Sequence, residues 1–370
     1  MTPSPIEDSP MLALPADRRM RAAVLYGAED IRMEDVPIPH PGPGEILARV
    51  DVASVDFTDR KVYLRGAHPM IRVPGLFGHE WAGTIVELGA GVEERWRPGL
   101  HVAAANSAPC PAESDRPCRQ CRRGRLSMCE DIQYVNGAFA PYILVPSRLA
   151  RVNLHPVPVE CPPERVVFTE PFACALQAVR RISIHPLDAV AVLGAGPMGL
   201  FLVNALRHRL GPDQVVVSLD HLDDRLAVAA AMGASHTVNT QGRAAGEALR
   251  AAIGRTDTDV VIEAIGAVET HREALDLVGR GGTLVSFGGV SPGQVLPLDL
   301  GRIHYAEIAI QPIYHHTPTD VAESVRRLVA GEVPVERLIT ARLPLSDLGT
   351  ALQMVANRTT LRTILIPDQA

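Results

Sequence analysis

The sequence predicts an α/β protein of two domains, one a compact β-barrel-like domain and the other an open, doubly wound parallel sheet. Three observations predict it. Residues 20–155 hold short β-like runs broken by Gly and Pro, such as Glu45-Ile-Leu-Ala-Arg-Val-Asp-Val and Ala82-Gly-Thr-Ile-Val-Glu-Leu-Gly, the punctuation of a small β domain. From about residue 176 apolar strands alternate with helical segments, at 189–193, 215–219, 260–264, 283–287 and 308–311; that alternation builds a parallel sheet. The length of 370 residues and 46% hydrophobic content suit about two domains with full cores.

In chain order, residues 1–19 begin Met1-Thr-Pro-Ser-Pro-Ile-Glu-Asp-Ser-Pro, a polar, proline-rich stretch expected to be a flexible tail. Residues 20–175 form the first domain and 176–314 the parallel-sheet domain. Residues 315–370 carry amphipathic helices at 320–329 and 345–355. A final apolar run at 362–366 is placed to return a strand to the first domain. The net charge of −6 argues against a nucleic-acid or anionic-membrane partner. No apolar run reaches transmembrane length and no signal peptide is visible. The expectation is a soluble cytoplasmic protein acting on a small molecule.

Cysteines point to a metal. Cys118, Cys121 and Cys129 fall within one basic loop, with Cys110 just upstream. Thiolates spaced this way converge on one tetrahedral Zn²⁺. Cys161 and Cys174 read as core residues.

A glycine turn points to a dinucleotide. Gly194-Ala-Gly196-Pro197-Met198-Gly199 follows the run Ala189-Val-Ala-Val-Leu and opens an apolar helix, the context in which such a motif has weight. Gly194 allows the tight turn, Gly196 admits a pyrophosphate to the helix N-terminus, and Gly199 lets helix and strand pack closely. Asp220 ends the next strand, where an acid binds the ribose hydroxyls. Asp223 and Asp224 add negative charge where a 2′-phosphate would lie, which favours NAD over NADP. Arg225 is grouped with the cofactor-binding residues.

Three upstream segments carry the chemistry of a second site: Asp56-Phe57-Thr58-Asp59-Arg60-Lys61, Gly78-His79-Glu80 and Thr169-Glu170-Pro171. With the cysteine loop, the glycine turn and Asp259-Val-Val-Ile-Glu263-Ala-Ile-Gly266, in this order, the chain over residues 20–368 resembles the medium-chain zinc-dependent alcohol/polyol dehydrogenases. The resemblance implies a GroES-like catalytic domain, split between the two ends of the chain, and a Rossmann NAD-binding domain between them. It also implies a homo-oligomer, a dimer or tetramer.

The resemblance carries roles to particular residues. His79 falls on the catalytic zinc-ligand histidine, and Glu80 on an acid that binds the metal or stands beside it. Glu170 falls on the third ligand of the polyol branch, and Thr58 on the hydroxyl that relays the substrate proton. Two positions depart from the pattern. Asp56 stands where the first ligand is usually cysteine, keeping the −1 charge with a harder oxygen donor. Lys61, the single lysine among 36 basic residues, stands where the relay usually ends in histidine. The structural zinc set also departs, since its first position holds Asp115. Either Cys110 or Asp115 completes it, and Cys110 is the more usual donor type.

Tyr314-His315-His316 occupies the place from which an Arg-Tyr pair reaches the substrate in polyol relatives, making His315 and His316 substrate candidates. The implied reaction is NAD-dependent interconversion of a secondary alcohol and its ketone, on a sugar, polyol, cyclitol or amino-polyol. Two alternatives stay open: a metal-free quinone or alkene reductase of the same superfamily, and a catalytically silent dinucleotide-binding relative.

Overall fold

A computed structural model describes residues 14–68, 70–110 and 117–368. Asp115 and most of the expected tail, residues 1–13, lie outside the described residues. The chain divides into two compact units: one runs to Glu170 and resumes at Thr317, the other spans Pro171–His316.

In the first unit the largest sheet, among the described residues, has seven strands. Its order is Leu154–Val157, His101–Ala104, Glu80–Leu88, Ile46–Val55, Arg362–Ile366 and Ile339–Pro344, with Tyr142–Val145 also paired to Ile46–Val55. The predicted return strand is therefore present, antiparallel to Ile46–Val55. Ile46–Val55 is buried at eight of its ten positions, because neighbours pair along both its edges and side chains cover both faces. Trp81, Phe77, Phe139 and Ile85 fill the core beneath it. A smaller sheet pairs Arg19–Gly27 with Asp30–Pro37 and Gly75–Leu76.

The second unit is a six-stranded parallel sheet in the order His236–Asn239, Val216–Asp220, Val190–Leu193, Thr258–Glu263, Val278–Ser286 and Ala309–Pro312. Five of these are the predicted strands. The sixth, His236–Asn239, was not legible because only Val238 of its four residues is buried, so it has no apolar run. Val190–Leu193 is buried throughout and leads into the helix Pro197–Leu210.

Candidate active site

Sheet register assembles the first unit's polar cluster. Ser54 sits opposite Glu80, and Val55 opposite Thr363. Glu80, the segment just beyond Val55 and Arg362 are thus neighbours on three adjacent strands. Asp56 then leaves the sheet in extended conformation and caps the helix Phe57–Arg65. Its Oδ1 accepts from the Asp59 amide at 2.8 Å, while Asp59 Oδ2 accepts from the Asp56 amide at 3.0 Å. This reciprocal capping box fixes both carboxylates. His79 is delivered by Gly78, whose φ of +92° favours glycine and whose added Cβ would lie 2.6 Å from the Phe139 ring.

The Asp56 and Asp59 carboxylates meet His79. Nδ1 of His79 lies 2.9 Å from Asp59 Oδ1, and its Nε2 lies 3.9 Å from Asp56 Oδ2. The carboxylate at Nδ1 fixes the ring and turns Nε2 toward Asp56, the arrangement of a metal-ligating histidine. Asp59 was not among the predicted site residues; the acid three positions after an acidic N-cap was the available signal. Tetrahedral zinc with nitrogen and oxygen bonds of about 2.0–2.1 Å holds its donors roughly 3.4 Å apart. The Nε2–Oδ2 spacing is near that, so these donors fit an ion with a small inward movement. His79 also belongs to a second group, with Glu80 and Glu170, whose donor atoms lie within 4.8 Å of one another.

Charge in this cluster is strongly perturbed. Burial pushes the His79 imidazole down, but Asp59, Asp56 and Glu170 outweigh it and hold it well above its usual value. Burial pushes Asp56 up; His79, Arg362, the Asp59 amide and the Thr58 hydroxyl more than reverse this, leaving it low. Asp59 is raised, chiefly by its burial. Burial drives Glu80 up to about 8 although Arg362 opposes it.

The remaining predicted residues divide. Glu80 is gripped by Arg362 through both its oxygens, so it stands beside the cluster with its carboxylate already engaged. Glu170 is buried in the first turn of the helix Thr169–Arg181. The Thr58 hydroxyl donates to Asp56. Lys61 is half-buried, with Nζ 5.1 Å from the Phe57 ring centroid, and burial and Arg65 lower its pKa.

All four cysteines converge. Donor atoms of Cys110, Cys118, Cys121 and Cys129 lie within 4.8 Å of one another. The Cys118 and Cys129 sulfurs are 3.9 Å apart, against roughly 3.8 Å for two thiolates on tetrahedral zinc. Backbone amides of Cys110, Cys118, Cys121, Glu130 and Asp131 donate to cysteine sulfurs at 3.1–3.4 Å; at Cys129 burial outweighs such contacts and raises the thiol, and burial raises Cys121 too. The Cys118 thiol is lowered to about 6, first by such amides. Cys110 thus joins the set that the spacing left open. Cys161 is buried and Cys174 half-buried.

In the second unit the glycine turn fits a dinucleotide. Gly194 has φ +102°, and a Cβ on Gly199 would fall 1.8 Å from Gly194 O, so this close approach of helix to turn needs glycine at both positions. A Cβ on Gly196 would meet nothing within 4 Å. Gly196 is the N-cap of a fourteen-residue helix and offers no side-chain cap, leaving amides and space for a pyrophosphate. Pro197 and Met198 form the first turn of that helix. Asp220 accepts from Ala195 N at 2.7 Å, His221 N at 2.8 Å and Leu222 N at 3.0 Å. A carboxylate has about four acceptor sites, so this one keeps capacity for a single ribose hydroxyl rather than both. Arg225 follows in the helix Asp223–Ala231. At the end of this unit His315 has φ +65° and its ring lies 4.0 Å from that of His316. His316 is buried, and burial holds it well below its usual pKa.

Two family models match this chain: the alcohol dehydrogenase GroES-like domain over residues 42–158 and the zinc-binding dehydrogenase domain over residues 197–330. Sorbitol dehydrogenase of Bacillus subtilis (strain 168) is 28% identical over 343 residues, 91% of this chain and 93% of that protein. L-Threonine 3-dehydrogenase of Xanthomonas oryzae pv. oryzae (strain MAFF 311018) is 31% identical over 323 residues, 86% of this chain and 90% of that protein. A solved Sinorhizobium meliloti 1021 chain bound to NADP superposes with TM-score 0.85 at 27% identity, covering 94% of this chain and 99% of its own. The chain belongs to the medium-chain zinc-dependent alcohol and polyol dehydrogenase family, with a GroES-like domain and a Rossmann domain.

Proposed function

We propose that this protein is an NAD-dependent oxidoreductase interconverting a secondary alcohol of a sugar, polyol, cyclitol or amino-polyol with its ketone. The observation that carries the reading is His79, held at Nδ1 by Asp59 and facing Asp56 with Nε2. Asp56, His79 and Glu170 would hold a catalytic Zn²⁺, with Glu80 beside it. Cys110, Cys118, Cys121 and Cys129 would hold a structural one. A bound catalytic Zn²⁺ supplies Lewis acidity toward an alcohol oxygen, and NAD accepts hydride.

The chain's own residues supply placement and proton handling. Asp59 locks the His79 ring through its Nδ1 contact. Arg362 neutralises Glu80 and so limits the negative charge facing the alcohol. Thr58 presents a hydroxyl held by Asp56, and Lys61 lies one helical turn further along. Burial lowers the Lys61 pKa, so a larger fraction of it stands as the neutral amine that can take a proton than for an exposed lysine. Lys61→Arg keeps the charge but removes a titrating group, so the alkaline dependence of kcat should change; an unchanged pH–rate profile overturns the relay. His315 and His316 are proposed as substrate-binding residues.

For the cofactor, the buried Asp220 at the strand end supports NAD over NADP. The exposed Ile310 on the edge strand Ala309–Pro312, with exposed Leu300 and Tyr305 nearby in sequence, supports a homo-oligomer. The deciding experiment is metal analysis joined to turnover on an alcohol panel. Two zincs per chain and chelator-sensitive NAD-dependent oxidation are expected. One zinc with chelator-resistant reduction of activated alkenes would instead establish the metal-free reading.

A further inference from the structure

A histidine that the proposed chemistry does not use stands beside the His79 cluster. His68 lies on the loop that leaves the helix Phe57–Arg65, two residues past Gly66, the left-handed residue that ends it. Both ends of this loop are tied down. A Cβ on Gly66 would lie 2.0 Å from Ala28 N, so the start of the loop rests on the turn between the strands Arg19–Gly27 and Asp30–Pro37. Beyond His68, Met70 O accepts from Asn136 Nδ2 at 2.5 Å, and Met70 Sδ lies 3.6 Å from Asn106 Nδ2. Gly137, the residue after Asn136, donates its amide to Gly78 O at 2.9 Å. Gly78 delivers His79, so a short chain of contacts joins the His68 loop to the candidate metal ligand. All of these residues belong to the first unit.

The loop also fixes which nitrogen of His68 carries the proton. The Met70 amide donates to His68 Nδ1 at 3.2 Å, while the Ile71 amide donates to His68 O at 3.0 Å. An amide N–H can only donate, so Nδ1 is the acceptor. The neutral ring has one N–H, which is therefore on Nε2. Burial, with the positive charges of His79 and Arg65, holds His68 below its ordinary pKa although Asp56 opposes them. The ring is thus neutral at pH 7 and within electrostatic reach of both Asp56 and His79. Its Nε2 makes no hydrogen bond among the described residues, and the side chain is half-buried. A donor of fixed place and fixed tautomer, with no partner of its own, is suited to reading an oxygen on a bound ligand.

We propose that His68 is a substrate-binding residue whose Nε2 proton is donated to a hydroxyl oxygen on the carbon next to the one being oxidised. Resting on the dehydrogenase reading above, this narrows the substrate to a vicinal diol or polyol. His68 makes no hydrogen bond to Asp56 or His79 among the described residues, so it is placed to meet the oxygen beside the one they would hold. An isolated secondary alcohol offers no second oxygen. A vicinal ammonium has no lone pair to accept the proton, and Nδ1 cannot exchange roles with Nε2 while the Met70 amide occupies it. Amino-alcohols protonated at that carbon are therefore disfavoured.

The test compares 2,3-butanediol with 2-butanol, which differ by the second hydroxyl, as substrates of the zinc-loaded full-length protein with NAD. Wild type is expected to favour the diol about 10-fold in kcat/KM, the worth of one neutral hydrogen bond. His68→Leu should bring that ratio to about 1 through a raised KM for the diol. His68→Gln keeps an N–H at the same reach and should retain most of the preference. Metal analysis and circular dichroism check that both variants keep the site and the fold. A wild type with no diol preference overturns the proposal, as does a His68→Leu variant that keeps it. Equal losses on both alcohols in the two variants would also overturn it, by showing that the ring only supports the loop. Absence of NAD reduction by wild type on both alcohols and on a polyol panel overturns the dehydrogenase reading, and this inference with it.

Discussion

Nη1 of Arg362 lies 3.0 Å from both carboxylate oxygens of Glu80, and neither side chain is more than 2% exposed. The two residues are 282 positions apart in sequence. Removing one partner of such a pair leaves the other's polar head buried without its hydrogen bonds. Arg362→Met is expected to destabilise the first unit by about 3–5 kcal/mol, whereas the double variant Arg362→Met/Glu80→Leu recovers much of the loss. Urea denaturation of the two variants measures this. Equal destabilisation in both would show that packing, not charge, dominates.

Asp59→Asn keeps an acceptor for the Asp56 amide, so the helix cap survives. It removes the carboxylate from His79 Nδ1. Metal affinity at the candidate site should fall about 10–100-fold, with the four-cysteine zinc retained. Competition with a chromophoric chelator reads both sites. Unchanged affinity at the first would reassign Asp59 to capping alone.

Gly196 and Gly199 predict opposite outcomes from the same change. Gly199→Ala drives a methyl into Gly194 O and should cost about 1–3 kcal/mol of stability. Gly196→Ala meets open space, so stability is kept while dinucleotide affinity drops. Thermal shift with and without NAD separates the two. Loss of stability in Gly196→Ala would count against the open cradle.

His155 gives a pH prediction independent of any metal. Burial, helped by Arg95, lowers its pKa from 6.5 to about 4, and its Nε2 is buried without a hydrogen bond. Above the unfolded value both states are neutral. As pH falls from about 6.5 toward about 4 the unfolded chain takes a proton that the native state refuses, so stability falls. The full effect is on the order of 3 kcal/mol. Denaturation midpoints of wild type and His155→Gln across this window test it; the variant should lose this component of the slope.

What was legible in the sequence was local. Gly194, Gly196 and Gly199 lie within six residues, and their spacing alone states the turn they make. Cys118, Cys121 and Cys129 announce one another in the same way. Asp56, His79 and Glu170 come from three separate segments and were placed only through the family resemblance. Asp59 escaped notice because its function depends on a ring delivered by another strand. Arg362 escaped for the same reason, since its meaning lies in Glu80. His68 comes within reach of Asp56 and His79 only once its loop is tied back by Asn136, which no spacing rule encodes.

The interrupted layout of the first unit sets an order of assembly. Ile46–Val55 waits for Arg362–Ile366, which is synthesised only after the whole of Pro171–His316. On a translating ribosome the parallel-sheet unit can therefore be complete while the earlier unit still has an open strand edge. Until that strand arrives, Glu80 has no guanidinium beside it. The first unit is then the last of the two to close. Its maturation is timed by the distal segment and not by the residues that would do the chemistry.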